Sequence, residues 1–232
     1  MNFKSVVVSA LVSLSFCGQA FAQSQVEMNE KASKELEATK RDATKAARAV
    51  ATKYSSVKNF KNKMDEVQEL YANFVQGHLK TIFPVPKGAD VYRLYGTVNP
   101  LCECQIEAGL WQKRIKELND WSKAAPKKDL TALKADYAAA DKKLNDVYVK
   151  VRKSPAKSGE TGAQFTKELV DAEVEWIAFR NSDCELSAMS GGSESSKYEK
   201  MIALTKERTN QLNDWIKGMQ EGDTCCGSRP VF

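Results

Sequence analysis

Between Leu36 and Phe74, apolar or small residues recur in steps of three and four: Leu36, Thr39, Ala43, Ala46, Val50, Tyr54, Val57, Phe60, Met64, Val67, Tyr71 and Phe74. That spacing keeps one stripe of an amphipathic helix facing a partner surface, with polar residues filling the remaining positions. From Gln25 to Ile82 there is no proline, and Gly77 is the one glycine. An unbroken helix of this length would run about 85 Å at ~1.5 Å per residue, longer than a small domain is wide. Two courses are open: the helix protrudes and pairs as a coiled coil, or it bends near Tyr54 to Asn59 and folds back.

Phe83-Pro84-Val85-Pro86-Lys87-Gly88 stacks two helix breakers with a glycine and predicts a loop that lasts to about Asn99-Pro100. Helical spacing resumes through Ile106, Leu110, Trp111, Ile115, Leu118 and Trp121 until Pro126. A third helix, Leu130 to Arg152, carries Leu133, Tyr137, Ala140, Leu144, Val147, Tyr148 and Val151 on its apolar side. Thr161 and Gln164 have the spacing of a reciprocal capping box, which predicts a helix through Phe165, Leu169, Ala172, Trp176 and Phe179 to about Met189, ended by Gly191-Gly192. Ser196 and Glu199 form a second such box and open a last helix through Tyr198, Ile202, Leu212 and Trp215.

No alternating strand pattern bounded by turn signals is found, so the expected fold is all-α: an antiparallel helical bundle with a long N-terminal amphipathic helix. The expected division is a leader at 1–22, a helical arm at 23–82, a Pro/Gly loop at 83–101, the bundle at 102–219 and a cysteine-containing tail at 220–232. Leu-Asn-Asp-Trp occurs twice, at Leu118 to Trp121 and Leu212 to Trp215, but four letters are slight support for a duplication.

The leader has Lys4, an apolar core from Val6 to Phe16, and Ala20-Phe21-Ala22 in small-x-small form. This predicts a secretory signal cleaved after Ala22 and a periplasmic or secreted protein. Lipidation at Cys17 is disfavoured because the large Phe16 stands where a small side chain is needed. No later apolar run approaches the ~20 residues of a transmembrane helix. Removal of the leader takes away Lys4 and no acid, leaving 34 basic against 30 acidic residues, a net +4. Glu27 to Lys63 holds ten basic and five acidic residues, a basic stripe that could meet an anionic polymer but is also what a solvated helix face carries.

Little in the chain points to catalysis, metal or cofactor chemistry. The one histidine, His78, lies in the N-terminal helical segment away from any nucleophile and reads as a solvated helix residue. Cys102-x-Cys104 and Cys225-Cys226 are better disulfide candidates than metal ligands in an oxidising compartment. Five cysteines remain after cleavage, so at least one stays unpaired or bonds another molecule. The favoured arrangement links Cys102 or Cys104 to Cys225 or Cys226, with Cys184 taking one of the others.

The order Asp141-x-x-Leu144-Asn145-x-x-Tyr148, then Ala172-x3-Trp176-x2-Phe179-Arg180-x3-Cys184, then Gly191-Gly192, then Leu204-Thr205-x2-Arg208-x3-Leu212 resembles the LprI family of bacterial lysozyme inhibitors. The resemblance covers about Asp129 to Met219, under half of the chain. Where the family has cysteines this chain has Ala132 and Met201; glutamine is usual at Glu173 and aspartate at Asn181. Cys184 therefore lacks the disulfide partners the family pattern implies.

What the resemblance implies is a non-enzymatic exported protein that blocks a lysozyme or related cell-wall hydrolase with an inter-helix loop. Asp141, Asn145, Tyr148, Trp176, Arg180, Thr205 and Arg208 are then expected to form a polar network that locks three helices together, with the Arg180 stem on Trp176. Recognition would fall to the joining segments, with Lys157 and Glu194 as candidate target contacts. A net +4 gives no long-range attraction to a strongly basic lysozyme. The alternative is an envelope module whose N-terminal helix self-associates as a homodimer or touches anionic polymer. Nothing points to nucleic acid.

Overall fold

The computed structural model describes residues 9–121, 129–154, 159–191, 193–219 and 222–230, with side chains from residue 24 onward. Among the described residues there are seven helices and no strand: α1 (Ser9–Lys53), α2 (Phe60–Ile82), α3 (Val91–Tyr95), α4 (Asn99–Asp120), α5 (Leu130–Arg152), α6 (Gly162–Gly191) and α7 (Glu194–Lys217). No helix of the described residues is long and apolar enough to cross a membrane.

Of the two courses open to the N-terminal segment, the chain takes the second. Helix α1 stops at Lys53, and Asn59 adopts a left-handed conformation (φ 61°) that restarts the chain as α2 in a new direction. Asparagine is among the few residues that occupy this region readily. The two stripes then meet different partners, α1 along α4 and α2 along α6. Ala32, Leu36, Ala43, Ala47 and Val50 of α1 are buried, so the surface a coiled-coil seam would need is already covered.

Helix α2 presents Phe60, Met64, Val67, Tyr71, Phe74, Val75, Leu79 and Ile82 to the interior. They pack against Phe165, Leu169, Ala172, Trp176 and Phe179 of α6, with Gly77 allowing close approach: a Cβ there would lie 2.1 Å from Glu175 Oε2 and 3.2 Å from Ala172 Cα. Around this central pair, α4 packs on α2 with α1 along it, and α7 packs on α6 with α5 along it. Tyr71 ties the centre together: its hydroxyl donates to the Leu110 carbonyl at 2.6 Å, and its ring lies 4.9 Å from that of Phe179 and 5.0 Å from that of Trp111.

The caps differ in detail from the sequence expectation. Helix α7 opens a turn earlier, capped by Ser193, whose hydroxyl accepts from Ser196 N–H; Ser196 and Glu199 are already helical. Gln164 donates to Glu168 within α6 and does not reach back to Thr161. Asp129, at the head of α5, accepts from Ala132 N–H in the ordinary way. The two Leu-Asn-Asp-Trp segments lead different lives, since Trp215 is buried in the core whereas Trp121 is half-exposed at the end of α4.

Candidate functional site

The expected single network divides into two. In the first, between α5 and α6, the Arg180 guanidinium stacks 4.8 Å from the Trp176 ring and donates through Nε and Nη2 to Asn181 Oδ1. Asp141 lies 3.7 Å from Arg180 Nη1, too far for a hydrogen bond. Asn145 bonds Asp141 within its own helix, and Tyr148, half-buried, lies under Arg152.

The second group gathers on Arg208, which is fully buried among α2, α6 and α7. Its Nε donates to Glu173 Oε1 at 2.6 Å, its Nη2 pairs with the same carboxylate, and its Nη1 contacts Gln211 and His78 Nδ1, each at 3.0 Å. Glu173, standing where the resembled family has glutamine, is thus the counter-ion of Arg208. Thr205 takes no part: its Oγ1 has no partner among the described residues, and its carbonyl accepts from the Thr209 hydroxyl. Arg208 misses the Arg180 group because it faces inward to α2, while α5 covers a different side of α7.

His78 is not the solvated residue its position suggested. It is buried between Phe74, Trp215 and Arg208, and its pKa lies well below the ordinary value because of burial, reinforced by the positive charges of Arg208, Arg229 and Lys113. A neutral ring with Nδ1 unprotonated can accept from Arg208, which a protonated ring cannot.

The most buried ion pair was not among the sequence candidates. Arg114 of α4 and Asp183 of α6, both wholly inaccessible, join through two hydrogen bonds of 2.8 and 3.1 Å. Glu117 lies 2.9 Å from Arg114, and Lys200 of α7 reaches Asp183 at 3.1 Å and Glu117 at 3.4 Å. The Arg114 guanidinium also lies over the rings of Phe179 and Tyr71. Burial alone would raise the Asp183 pKa, but Arg114 and Lys200 outweigh it and hold the carboxyl below its ordinary value. Three helices are thereby fixed in register by charge.

A disulfide joins Cys102 to Cys225 across 123 residues, pinning the tail to the first turn of α4 as expected of one member from each doublet. Cys184 forms no second bridge. It is buried as a free thiol, its pKa pushed up to about 12 by burial and by Asp183 beside it. Cys104 and Cys226 are half-buried free thiols.

Glu194 is exposed at the start of α7 and pairs with Lys134 of α5 at 3.3 Å. Lys157 lies outside the described residues, but the flanks of its loop, Ser154 and Gly159, lie at the other end of α6, whose 30 residues span about 45 Å at ~1.5 Å each. Near Glu194, a cleft of about 690 Å³ opens between α4 and α7. These helices do not pack along their length, and Lys113–Glu207 and Lys200–Glu117 bridge the gap. Trp121 closes one end, its indole N–H donating to Ser190 Oγ and its ring facing the Lys200 ammonium at 5.0 Å.

The family model of lysozyme inhibitor LprI matches residues 122–212. That region comprises α5, α6 and most of α7, and contains Arg180 and Arg208 but not His78. No curated protein matches the chain, and no solved structure does.

Proposed function

We propose that the chain is an exported, non-catalytic binding protein whose partner is a lysozyme or a related cell-wall hydrolase, and that it contacts this partner at the end of the bundle marked by Glu194. The match of residues 122–212 to the lysozyme-inhibitor family carries the reading. Its placement in the structure agrees with a scaffold role for the signature residues. Trp176, Arg180 and Arg208 are buried or nearly so, and the two arginines are engaged with side chains of their own chain. Recognition then belongs to what the matched helices leave exposed.

From Glu27 to Lys53, α1 carries seven basic and five acidic residues, a local excess of only +2, while around the cleft Glu117, Asp120, Glu199 and Glu207 outnumber Lys113, Lys116 and Lys200. A basic enzyme approaching that end meets carboxylates interleaved with Lys113, Lys116 and Lys200.

The test is a titration of the purified chain from Gln23 onward into lysozyme, with bacterial cell walls as substrate. Inhibition should appear at micromolar inhibitor, and Glu194→Lys should raise the concentration needed at least threefold, in keeping with ~0.7 kcal/mol for one exposed charge. Lysozyme activity unchanged at micromolar concentrations would reject the reading.

A further inference from the structure

We infer that the cleft between α4 and α7 receives a cationic side chain, an arginine or a lysine, from a partner polypeptide. The inference deepens the proposed function and rests on it for the identity of the partner, while the site is defined by its own geometry.

The cavity is a consequence of the packing. Helix α4 packs on α2 and α7 packs on α6, each backed by another helix and not packed along each other, so a gap remains between them beside the C-terminal part of α6. Its volume of about 690 Å³ falls within the range of ligand pockets. Two ion pairs cross the gap and interrupt it, which suits it to a side chain better than to a continuous helix.

The chemistry of the lining selects the sign of the ligand. Lys113 is neutralised by Glu207 on the facing wall, and Lys200 is held by Asp183 and Glu117 beneath the Trp121 ring. Glu199, half-buried on α7, makes no ion pair or hydrogen bond among the described residues. A carboxylate partly withdrawn from water and left unpaired is the group whose interaction with a new cation costs least in further desolvation. Lys116 likewise has no ion-pair partner among the described residues, but it is exposed at the rim, where water screens it.

Leu204, Ala203 and Tyr54 supply an apolar and aromatic lining along which the aliphatic stem of arginine or lysine can lie. The chain already uses the same chemistry at the end of the slot, where Lys200 packs against Trp121 with its charge held by carboxylates. An anionic side chain entering here would instead face Glu199, Asp120 and Glu207.

The experiment uses the chain from Gln23 onward with its tryptophan indoles labelled with nitrogen-15, and follows the Trp121 indole signal by NMR. The probes are acetyl-Gly-Arg-Gly-amide and acetyl-Gly-Glu-Gly-amide. The arginine peptide should shift the Trp121 signal along a saturating curve and the glutamate peptide should not. Glu199→Gln, a half-exposed position whose change leaves the helical circular dichroism intact, should weaken the arginine peptide at least threefold, and Lys116→Gln should leave it unchanged or tighten it. No saturable shift, an equal response to both peptides, or an unchanged affinity in Glu199→Gln overturns the inference. Because no hydrolase is present, the two readings fail separately. Arginine binding without lysozyme inhibition removes the partner and keeps the slot, whereas inhibition with a silent slot does the reverse.

Discussion

Replacing Asp183 by asparagine preserves the shape of the side chain and removes the charge that Arg114 faces. In the native fold two hydrogen bonds, of 2.8 and 3.1 Å, join a guanidinium and a carboxylate that are both wholly inaccessible. Deleting one partner of a buried pair costs about 3–5 kcal/mol, mostly because the other charge stays behind without compensation. Here Glu117 remains 2.9 Å from Arg114, and Lys200 can turn into the cleft, so the loss should sit near the lower end, about 3 kcal/mol. Equilibrium urea unfolding at pH 7 measures it, with unchanged denaturant slopes as the check that the unfolded state is comparable. Arg114→Met should lose a similar amount by orphaning Asp183, while Arg114→Met with Asp183→Leu, which removes both charges, should return to within about 1 kcal/mol of the parent. The pH dependence follows from the depressed carboxyl. Its contribution is present above the unfolded pKa of ~3.9 and is lost as pH falls through the lower folded value. The difference between parent and Asp183→Asn should therefore stay full from pH 7 to pH 5 and close only below about pH 4. A loss under 1 kcal/mol at pH 7, a double variant no better than the singles, or a gap already closed at pH 5 would each refute the account.

Changing Cys102 and Cys225 together to serine opens a loop of 123 residues and should cost about 5 kcal/mol in the chain-entropy description, read as a lower urea midpoint. In the parent, alkylation under native conditions should modify Cys104 and Cys226 while Cys184 reacts only after unfolding. His78 binds its proton less readily folded than unfolded, so stability is complete above the unfolded pKa of ~6.5 and declines below it by up to ~1.4 kcal/mol per pH unit; His78→Gln should flatten urea midpoints between pH 7 and pH 5. Gly227 has φ 58° and no room for a Cβ, which would lie 2.2 Å from the Ile82 carbonyl oxygen. Gly227→Ala should loosen the tail by about 1–3 kcal/mol, visible as faster hydrogen exchange at Ser228 N–H, which donates to that carbonyl.

The helices were legible because each writes its buried stripe into a local period. The bend at Tyr54 to Asn59 was visible as one of two courses, but choosing it required α4 and α6 to offer separate surfaces to α1 and α2, a fact of the whole fold. The buried charges show the same division more sharply. Arg114 lies between Leu110 and Leu118, Asp183 between Phe179 and Leu186, His78 between Phe74 and Ile82, Arg180 between Trp176 and Cys184, and Arg208 between Leu204 and Leu212. Each of these polar groups has large or apolar neighbours a turn away on both sides, which places it on the inward face of its helix. Since a charge there survives only when paired, that pattern announces burial and pairing from the sequence alone. By that pattern His78, Arg114 and Asp183 all belong to inward faces of their helices. What it does not contain is the choice of partner. Arg208 meets Glu173 and His78 and not Asp141, because of how far α7 is rotated and slid against α2 and α6, and no residue within α7 encodes that offset. Among the signature residues of the matched region, Trp176, Arg180 and Arg208 are buried, whereas Asp141, Asn145 and Tyr148 are partly or fully exposed and Thr205 is buried with no hydroxyl partner among the described residues. The α4–α7 slot owes one of its walls to α4, which lies outside residues 122–212.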